Sequence, residues 1–178
     1  MRQNPKPTRV ESKRPTPGRE RARSTSRFEV IVLAVDHSKH SSVAIDAAAD
    51  VSKAFDSEVI VVHALDILVS APVGADATSM PLLVAEDQLA FLQQEMGVDA
   101  QRFVTGVAQK LAHRGVQARG IVISGGSTAK LILDAARAYP AGLIVVGSHG
   151  LSDLTGLLLG SVAHQVVQHA HCPVLIVR

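Results

Sequence analysis

Cysteine and tryptophan are scarce in this chain: of its 178 residues one is cysteine, Cys172, and none is tryptophan. A single cysteine cannot form an internal disulfide, so we expect a reducing compartment, the cytoplasm. Aromatic residues make up 3% of the chain, which disfavours a base-stacking platform for single-stranded nucleic acid. The apolar runs, such as 30–35 and 143–146, are strand-sized, and none has the length of a membrane span.

Two widespread nucleotide-binding motifs are also missing. The sequence contains neither a phosphate loop ending in Gly-Lys-Ser/Thr nor a Gly-x-Gly-x-x-Gly run, so no lysine is committed to a γ-phosphate. Residues 124–128, Ser-Gly-Gly-Ser-Thr, are similar to the pyrophosphate loop of adenylating enzymes. They follow the third predicted strand rather than the first, and Thr128 stands where that loop has aspartate. We therefore interpret this stretch as a turn and a helix start.

Positive charge is concentrated at the start of the chain. Residues 1–27 contain nine Lys or Arg against two Glu, a net charge of +7, whereas the whole chain has a net charge of +2. The remaining residues therefore carry −5, which argues against a basic nucleic-acid-binding domain. Four of the eight prolines also fall in residues 1–27. We expect a disordered tail over 1–27, with at most a weak contact to an acidic surface or nucleic acid, and one domain over 28–178.

Five short apolar segments have the composition of buried strands. The first of them is a continuous apolar, β-branched run, which is typical of a strand covered on both faces. They are 29–35, 58–65, 116–123, 143–146 and 173–177. The last of these is expected at a sheet edge, which invites pairing with a second copy.

Segments with helical spacing separate the strands. They cover about 43–55, 82–113, 128–139 and 161–169, with a surface loop predicted over 66–81. Gly97 and Gly106 weaken the long helix enough to allow a kink or break, and Gly115 is a good C-terminal stop. This alternation predicts an α/β fold with a single open, doubly wound, five-stranded parallel sheet. In such sheets ligands bind beyond the carboxyl ends of the strands, where the strand order reverses.

A glycine-rich motif follows the fourth predicted strand. Gly147-Ser148-His149-Gly150 is followed, after nine intervening residues, by Gly160-Ser161-Val162 at the start of the last predicted helix. Glycines let the backbone approach an anion closely, and the first N–H groups of a helix point at it. The motif therefore predicts phosphate binding. Asp36, directly after the first strand, would line the same crevice, or would only cap the helix that follows it.

These residues resemble a known family. Gly-x2-Gly-x9-Gly-Ser over 147–161 is similar to the nucleotide-binding signature of universal stress proteins of the UspA-like, ATP-binding type. Val-Asp-x-Ser at 35–38, Leu-Leu-Gly-Ser-Val at 158–162 and the ending at 169–177 resemble the family as well. His37, at a position that is often glycine, and Gly-Gly-Ser at 125–127, in place of Gly-x-Pro, depart from the family pattern without removing a phosphate contact.

The resemblance implies a strand order of 3-2-1-4-5 and a homodimer. It also implies that ATP or another adenine nucleotide binds at the carboxyl edge of the sheet. A Mg²⁺ ion, if present, would sit mainly on phosphate oxygens. The residues that the resemblance assigns to the nucleotide are Ala34, Val35, Asp36, Ala64, Val146, Gly147, His149, Gly150, Gly160, Ser161 and Val162.

Three functions are compatible with these features. The first is a nucleotide-dependent switch or sensor in the stress response. The second is a slow ATPase or self-phosphorylating protein, which the lack of a committed lysine and of an assigned base for water disfavours. The third is a nucleotide-free scaffold or chaperone-like dimer, which the intact glycine motif disfavours. We expect no zinc site at His169, His171 and Cys172, because the spacing is too tight and no second pair exists.

Overall fold

The computed structural model describes residues 26–65, 81–150 and 159–178. Most of the predicted tail, residues 1–25, and most of the predicted surface loop, residues 66–80, lie outside the described residues. The predicted loop extends to Pro81, whereas the structure starts a helix at that residue. Proline suits the first helical position, because its φ angle is already helical and its missing N–H would have no partner there.

Five strands form one parallel sheet. They are β1 (Val30–Ala34), β2 (Glu58–Leu65), β3 (Ala118–Ser124), β4 (Leu143–Gly147) and β5 (Val174–Val177). Neighbouring strands follow the order β3-β2-β1-β4-β5, with all four pairings parallel. The predicted fold class and strand order are therefore confirmed, and β5 lies at an edge as expected.

Four helices connect the strands. They are α1 (Lys39–Phe55), α2 (Pro81–His113), α3 (Thr128–Ala138) and α4 (Ser161–His169). The predicted bounds of α4 are confirmed, and Gly115 ends the α2 region with a φ angle of 80°. The predicted long helix over 82–113 is confirmed to within one residue, and it runs through Gly97 and Gly106 without the break that these glycines allowed. Packing of its buried face against the sheet outweighs the low helix propensity of these two glycines.

The sheet is covered on both faces. Ile31 and Leu33 of β1 pack into a core cluster with α1 and α2, whereas Val32 and Ala34 pack into a second cluster with α3 and α4. Alternate residues of one strand thus face opposite layers, as the period of two requires. This explains why the central strands β1, β2 and β4 contain continuous apolar runs, whereas the edge strand β3 contains the exposed Arg119.

The strand order reverses between β1 and β4. Strands β2 and β3 lie on one side of β1, and strands β4 and β5 lie on the other side. Because the connections diverge to opposite faces at such a point, a crevice forms beyond the carboxyl ends of the two central strands. The segments that follow β1 and β4 therefore border the same crevice.

The third strand begins two residues later than predicted. Val116 is instead part of the turn after α2, where its backbone N–H donates to the Leu111 carbonyl at 3.1 Å. Its side chain is only 4% exposed, so its apolar character serves the core rather than the strand. Within the described parts of the chain, no helix is both long enough and apolar enough to cross a membrane.

Candidate functional site

The segment after β1 is fixed by a hydrogen-bonded turn. Oδ1 of Asp36 accepts hydrogen bonds from the Ser38 backbone N–H (3.0 Å), the Ser38 hydroxyl and the Ser41 hydroxyl (2.7 Å). The Asp36 backbone N–H donates to the Ser41 hydroxyl oxygen at 2.7 Å. The N-cap of α1 is Ser38 rather than Asp36. The Asp36 carboxylate is therefore held at the carboxyl edge of the sheet by the first turn of α1.

The glycine loop after β4 approaches this turn closely. A methyl group added to Gly150 would lie 2.8 Å from Oδ2 of Asp36, and one added to Gly147 would lie 2.9 Å from Cβ of His40. Separations this short do not occur between real Cβ atoms and their neighbours, so only glycine fits at either position without a shift. The structure thus brings Asp36 together with the 147–150 loop, as the topology predicted.

The start of α4 joins the same loop. Gly160 is the N-cap of α4, and its backbone N–H donates to the Ser148 carbonyl at 2.8 Å. A methyl group on Gly160 would lie 3.1 Å from that carbonyl oxygen and 3.3 Å from Cα of His149. The two halves of the glycine motif therefore meet in space, although residues 151–158 between them lie outside the described part of the chain.

The first turn of α4 has donors for an anion. Its N-cap, Gly160, makes no side-chain capping hydrogen bond, and the first N–H groups of any helix lack partners within the helix. The N–H of Gly160 is already used by Ser148. The first-turn N–H groups that lack a partner within the helix are therefore those of Ser161, Val162 and the residue after them.

Three of the predicted residues have buried, apolar side chains. Ala34, Val35 and Val146 are 8%, 5% and 6% exposed, and their side chains belong to the core clusters. The Val35 carbonyl accepts a hydrogen bond from Nδ1 of His63 at 2.8 Å. Ala64 is half-buried near the carboxyl end of β2, where it pairs with Ile123 of β3. None of these side chains carries a polar group, so any recognition there uses main-chain atoms.

Three rings that were not among the predicted site residues cluster at the ends of β1 and β2. The His37 ring centroid lies 4.1 Å from that of Phe103, and His63 lies 5.3 Å from Phe103 and 5.7 Å from His37. The position of His37 directly after Asp36 could have indicated from the sequence that it lies near the site. Phe103 comes from α2, and nothing in its local sequence indicates that it reaches this edge.

Another histidine, His40, borders the glycine loop. His40, in the first turn of α1, has its ring centroid 5.7 Å from that of His149. Nδ1 of His149 lies 3.2 Å from the Ser148 hydroxyl, and Ser148 is only 2% exposed. His149 was predicted to line the site, whereas His40 was missed, although the pattern His-x-x-His directly after a strand end could have indicated it.

The residues near the chain end do not form a metal centre in the described structure. No three His, Cys, Asp or Glu side chains of the described residues lie close enough to bind one ion. His169 and His171 are exposed, and Cys172 is half-buried against the α3–α4 cluster. Burial raises the pKa of the Cys172 thiol, with a smaller opposing effect from the positive charge of Arg27.

The arrangement combines two kinds of recognition at one sheet edge. The start of α4 and the 147–150 loop present backbone N–H groups and glycine surfaces, which suit an anion such as phosphate. The Asp36 carboxylate is an acceptor, which suits hydroxyl groups of a sugar. Since Asp36 and Gly150 are in contact, a ligand that carries both phosphate and sugar hydroxyls matches the crevice.

Comparison with known sequences identifies the family of this chain. The family model of the universal stress protein family matches residues 27–178. The chain belongs to the universal stress protein family. Universal stress protein YxiE of Bacillus subtilis is 34% identical over 151 residues, covering 85% of this chain and 99% of that protein. Universal stress protein MJ0531 of Methanocaldococcus jannaschii is 35% identical over 151 residues, covering 85% of this chain and 82% of that protein.

Solved structures share the fold. The hypothetical protein MJ0577 superposes with a TM-score of 0.70 at 22% identity, covering 85% of this chain and 96% of that one. A universal stress protein from Archaeoglobus fulgidus in complex with dAMP has a TM-score of 0.55 at 21% identity, over 86% and 100% of the two chains. A universal stress protein in complex with cAMP has a TM-score of 0.57 at 22% identity, over 86% and 98%. These two relatives bind adenine nucleotides.

Proposed function

We propose that this universal stress protein binds an adenine nucleotide, ATP in particular, beyond the carboxyl ends of β1 and β4. The observation that carries the proposal is the contact of the Asp36 carboxylate with Gly150, next to an N-terminus of α4 that has no side-chain cap. Two relatives of the same fold bind dAMP and cAMP, which supports an adenine nucleotide as the ligand class.

The sugar and base are assigned to the β1 and β2 side of the crevice. Asp36 is fixed by three hydrogen bonds to Oδ1, so its carboxylate is preorganised to accept from ribose hydroxyls. Main-chain groups of Ala34, Val35 and Ala64 are assigned to the base. Backbone contacts of this kind fix orientation without needing polar side chains.

The phosphates are assigned to the β4 and α4 side. Gly147, His149 and Gly150, which follow Val146, would line the phosphate nearest the ribose. Ser161 and Val162 would donate backbone N–H groups, and the Ser161 hydroxyl, which is exposed, would add a further donor. Gly160 would allow the close approach. A Mg²⁺ ion, when bound, would screen phosphate charge and would be held mainly by phosphate oxygens.

Binding rather than rapid hydrolysis fits the composition of the site. Residues 147–169, from the glycine loop to the end of α4, contain no Lys or Arg. Phosphoryl transfer depends on cationic groups that stabilise charge on the transferring phosphate. We therefore assign the protein a role as a nucleotide-dependent switch in the stress response, in the cytoplasm. Such a switch requires that the nucleotide bind two conformations with different affinity.

A homodimer through the 173–177 segment accompanies this proposal. In the described structure β5 pairs with β4 alone. The carbonyls of Pro173 and Val177 accept from β4, so by the alternation of parallel pairing the Ile176 N–H points to the open edge. An apolar edge strand is normally covered, and a second copy would cover it. Ile176→Pro removes that outward donor, and sedimentation should then show monomers where the wild type shows dimers.

Identification of the ligand that copurifies with the protein is the most informative test of the proposed function. The protein is purified without added nucleotide, and small molecules released by denaturation are identified by mass spectrometry. We expect an adenine nucleotide in the wild type. The double variant Gly160→Val with Ser161→Ala should release none while keeping the sedimentation behaviour of the wild type. Release of an unrelated ligand from the wild type, or of equal nucleotide from both proteins, would contradict the assignment.

A further inference from the structure

The His40 ring lies where α1 meets the glycine loop. Its Cβ occupies the space next to Gly147, where a methyl group would lie only 2.9 Å away. Its ring centroid lies 5.7 Å from that of His149, and the side chain as a whole is half-buried. His40 therefore lies next to the loop that we assign to phosphate at two positions, Gly147 and His149.

One nitrogen of this ring has an unusual environment. Nδ1 of His40 is buried and has no hydrogen-bond partner among the residues that the structure describes. A neutral imidazole carries its single proton on one nitrogen or on the other. A proton on Nδ1 would be a buried donor without an acceptor, which is costly. The tautomer with the proton on Nε2 is therefore favoured, and Nε2 becomes the donor of this ring.

The charged and titratable groups around His40 supply little positive charge for a bound phosphate chain. Asp36 lies on the turn before it, Lys39 precedes it on α1 with an exposed side chain, and His149 faces it from the glycine loop. The segment from the loop through α4 contributes no Lys or Arg. A triphosphate placed there would meet backbone N–H groups, the Ser161 hydroxyl and two imidazoles.

We propose that His40, with His149 beside it, recognises the phosphate chain of the bound nucleotide through its ring N–H. This inference rests on the proposed function. It adds His40 to the residues that contact the phosphates and adds a preference for ATP over adenosine. The imidazoles take the place that lysine has in phosphate loops, so the site distinguishes ATP from adenosine by the phosphates that reach His40. Hydrogen bonds to charged acceptors are about twice as strong as neutral ones, which makes this contribution measurable.

The test compares ligands that share adenine and ribose but differ in phosphate. Adenosine, AMP and ATP are titrated by calorimetry into the wild type, His40→Phe and His40→Gln. Phenylalanine keeps a ring without a donor, whereas glutamine restores a donor near the position of Nε2. His113→Phe is the matched control, since His113 is an exposed histidine at the end of α2 whose Nδ1 bonds to the Gln109 carbonyl.

We expect His40→Phe to weaken ATP binding about tenfold and to leave adenosine affinity within about twofold, with His40→Gln recovering most of the loss. An unchanged ratio of ATP to adenosine affinity in His40→Phe overturns the role of His40 while leaving the proposed function intact. Absence of binding of every ligand to the wild type overturns both.

A measurement on the unmodified protein covers the case in which a variant fails to fold. Nitrogen-15 spectra of the imidazoles report which nitrogen carries the proton. We expect the Nε2–H tautomer at His40, and a shift of its Nε2 resonance with ATP that adenosine does not produce. The Nδ1–H tautomer, or equal shifts with both ligands, contradicts the inference.

Discussion

The Asp36 carboxylate and Gly150 are in direct contact across the crevice between β1 and β4. Oδ2 of Asp36 occupies a position 2.8 Å from where the Cβ of any other residue at 150 would lie. Oδ1 of the same carboxylate accepts three hydrogen bonds from Ser38 and Ser41, so the carboxylate cannot retreat without losing them. Glycine at 150 is therefore a requirement of the site and not only of the turn.

Gly150→Ala should weaken adenine nucleotide binding about tenfold or more, because the new methyl group displaces Asp36 from the ribose. Calorimetry with ATP measures the effect. Gly126→Ala is the matched control: it lies in another loop that follows a strand, and a methyl group there makes only ordinary contacts of 3.7 Å with Leu131. Equal affinities of the two variants would show that the contact of Asp36 with Gly150 does not shape the site.

Ser41→Ala should lower both stability and nucleotide affinity. Ser41 is 5% exposed and makes two hydrogen bonds with Asp36, so its loss leaves a carboxylate and a backbone N–H short of a partner. We expect a cost of about 1–3 kcal/mol in the free energy of unfolding, measured in urea. The neighbouring exposed Ser42, whose hydroxyl donates to the Lys39 carbonyl, serves as control. Ser42→Ala should stay within about 0.5 kcal/mol of the wild type.

Gly120→Ala should destabilise the fold without touching the site. A methyl group on Gly120 of β3 would lie 2.7 Å from the backbone carbonyl carbon of Val104 in α2. Because backbone atoms give way poorly, we expect a loss of about 1–3 kcal/mol in urea unfolding. Gly106→Ala, on α2 with nothing within 4 Å of the added group, should instead gain about 0.5–1 kcal/mol. The same sign of change in both variants would contradict this packing.

Cys172 should be a slowly reacting thiol. Burial raises its pKa, with the Arg27 charge opposing the shift, so less reactive thiolate is present at a given pH than in an unfolded chain. We expect alkylation at pH 8 to be slower in the folded protein and to accelerate on unfolding in urea. Alkylation at pH 8 that is as fast in the folded as in the unfolded protein would be inconsistent with the half-buried position.

The order of elements and the meeting of the glycine segments could be predicted because they depend on local patterns. Unbroken apolar runs indicate strands buried on both faces, and a glycine loop between a strand and a helix has few conformations. The strand order came from the family resemblance, since no local pattern fixes which strands are neighbours. The start of β3 was predicted two residues too early because packing decided it: Val116 is apolar since it is buried in the turn after α2.

The site residues contributed by distant segments were the least predictable. Phe103 reaches the rings of His37 and His63 only because α2 packs beside β2 and β3. The family resemblance assigned Gly160 to the nucleotide, but the N–H of Gly160 bonds to the Ser148 carbonyl. Gly160 and Ser148 both belong to the glycine motif in the sequence. Whether they form a hydrogen bond, however, depends on the conformation of the loop between them.

Calorimetric titration of ATP into nucleotide-free, folded protein tests the central claim most directly. We predict one saturable site per chain with a dissociation constant below about 1 mM, lost in the double variant Gly160→Val with Ser161→Ala. No saturable heat at millimolar ATP, in protein whose circular dichroism shows the native fold, would contradict the assignment of this crevice to an adenine nucleotide.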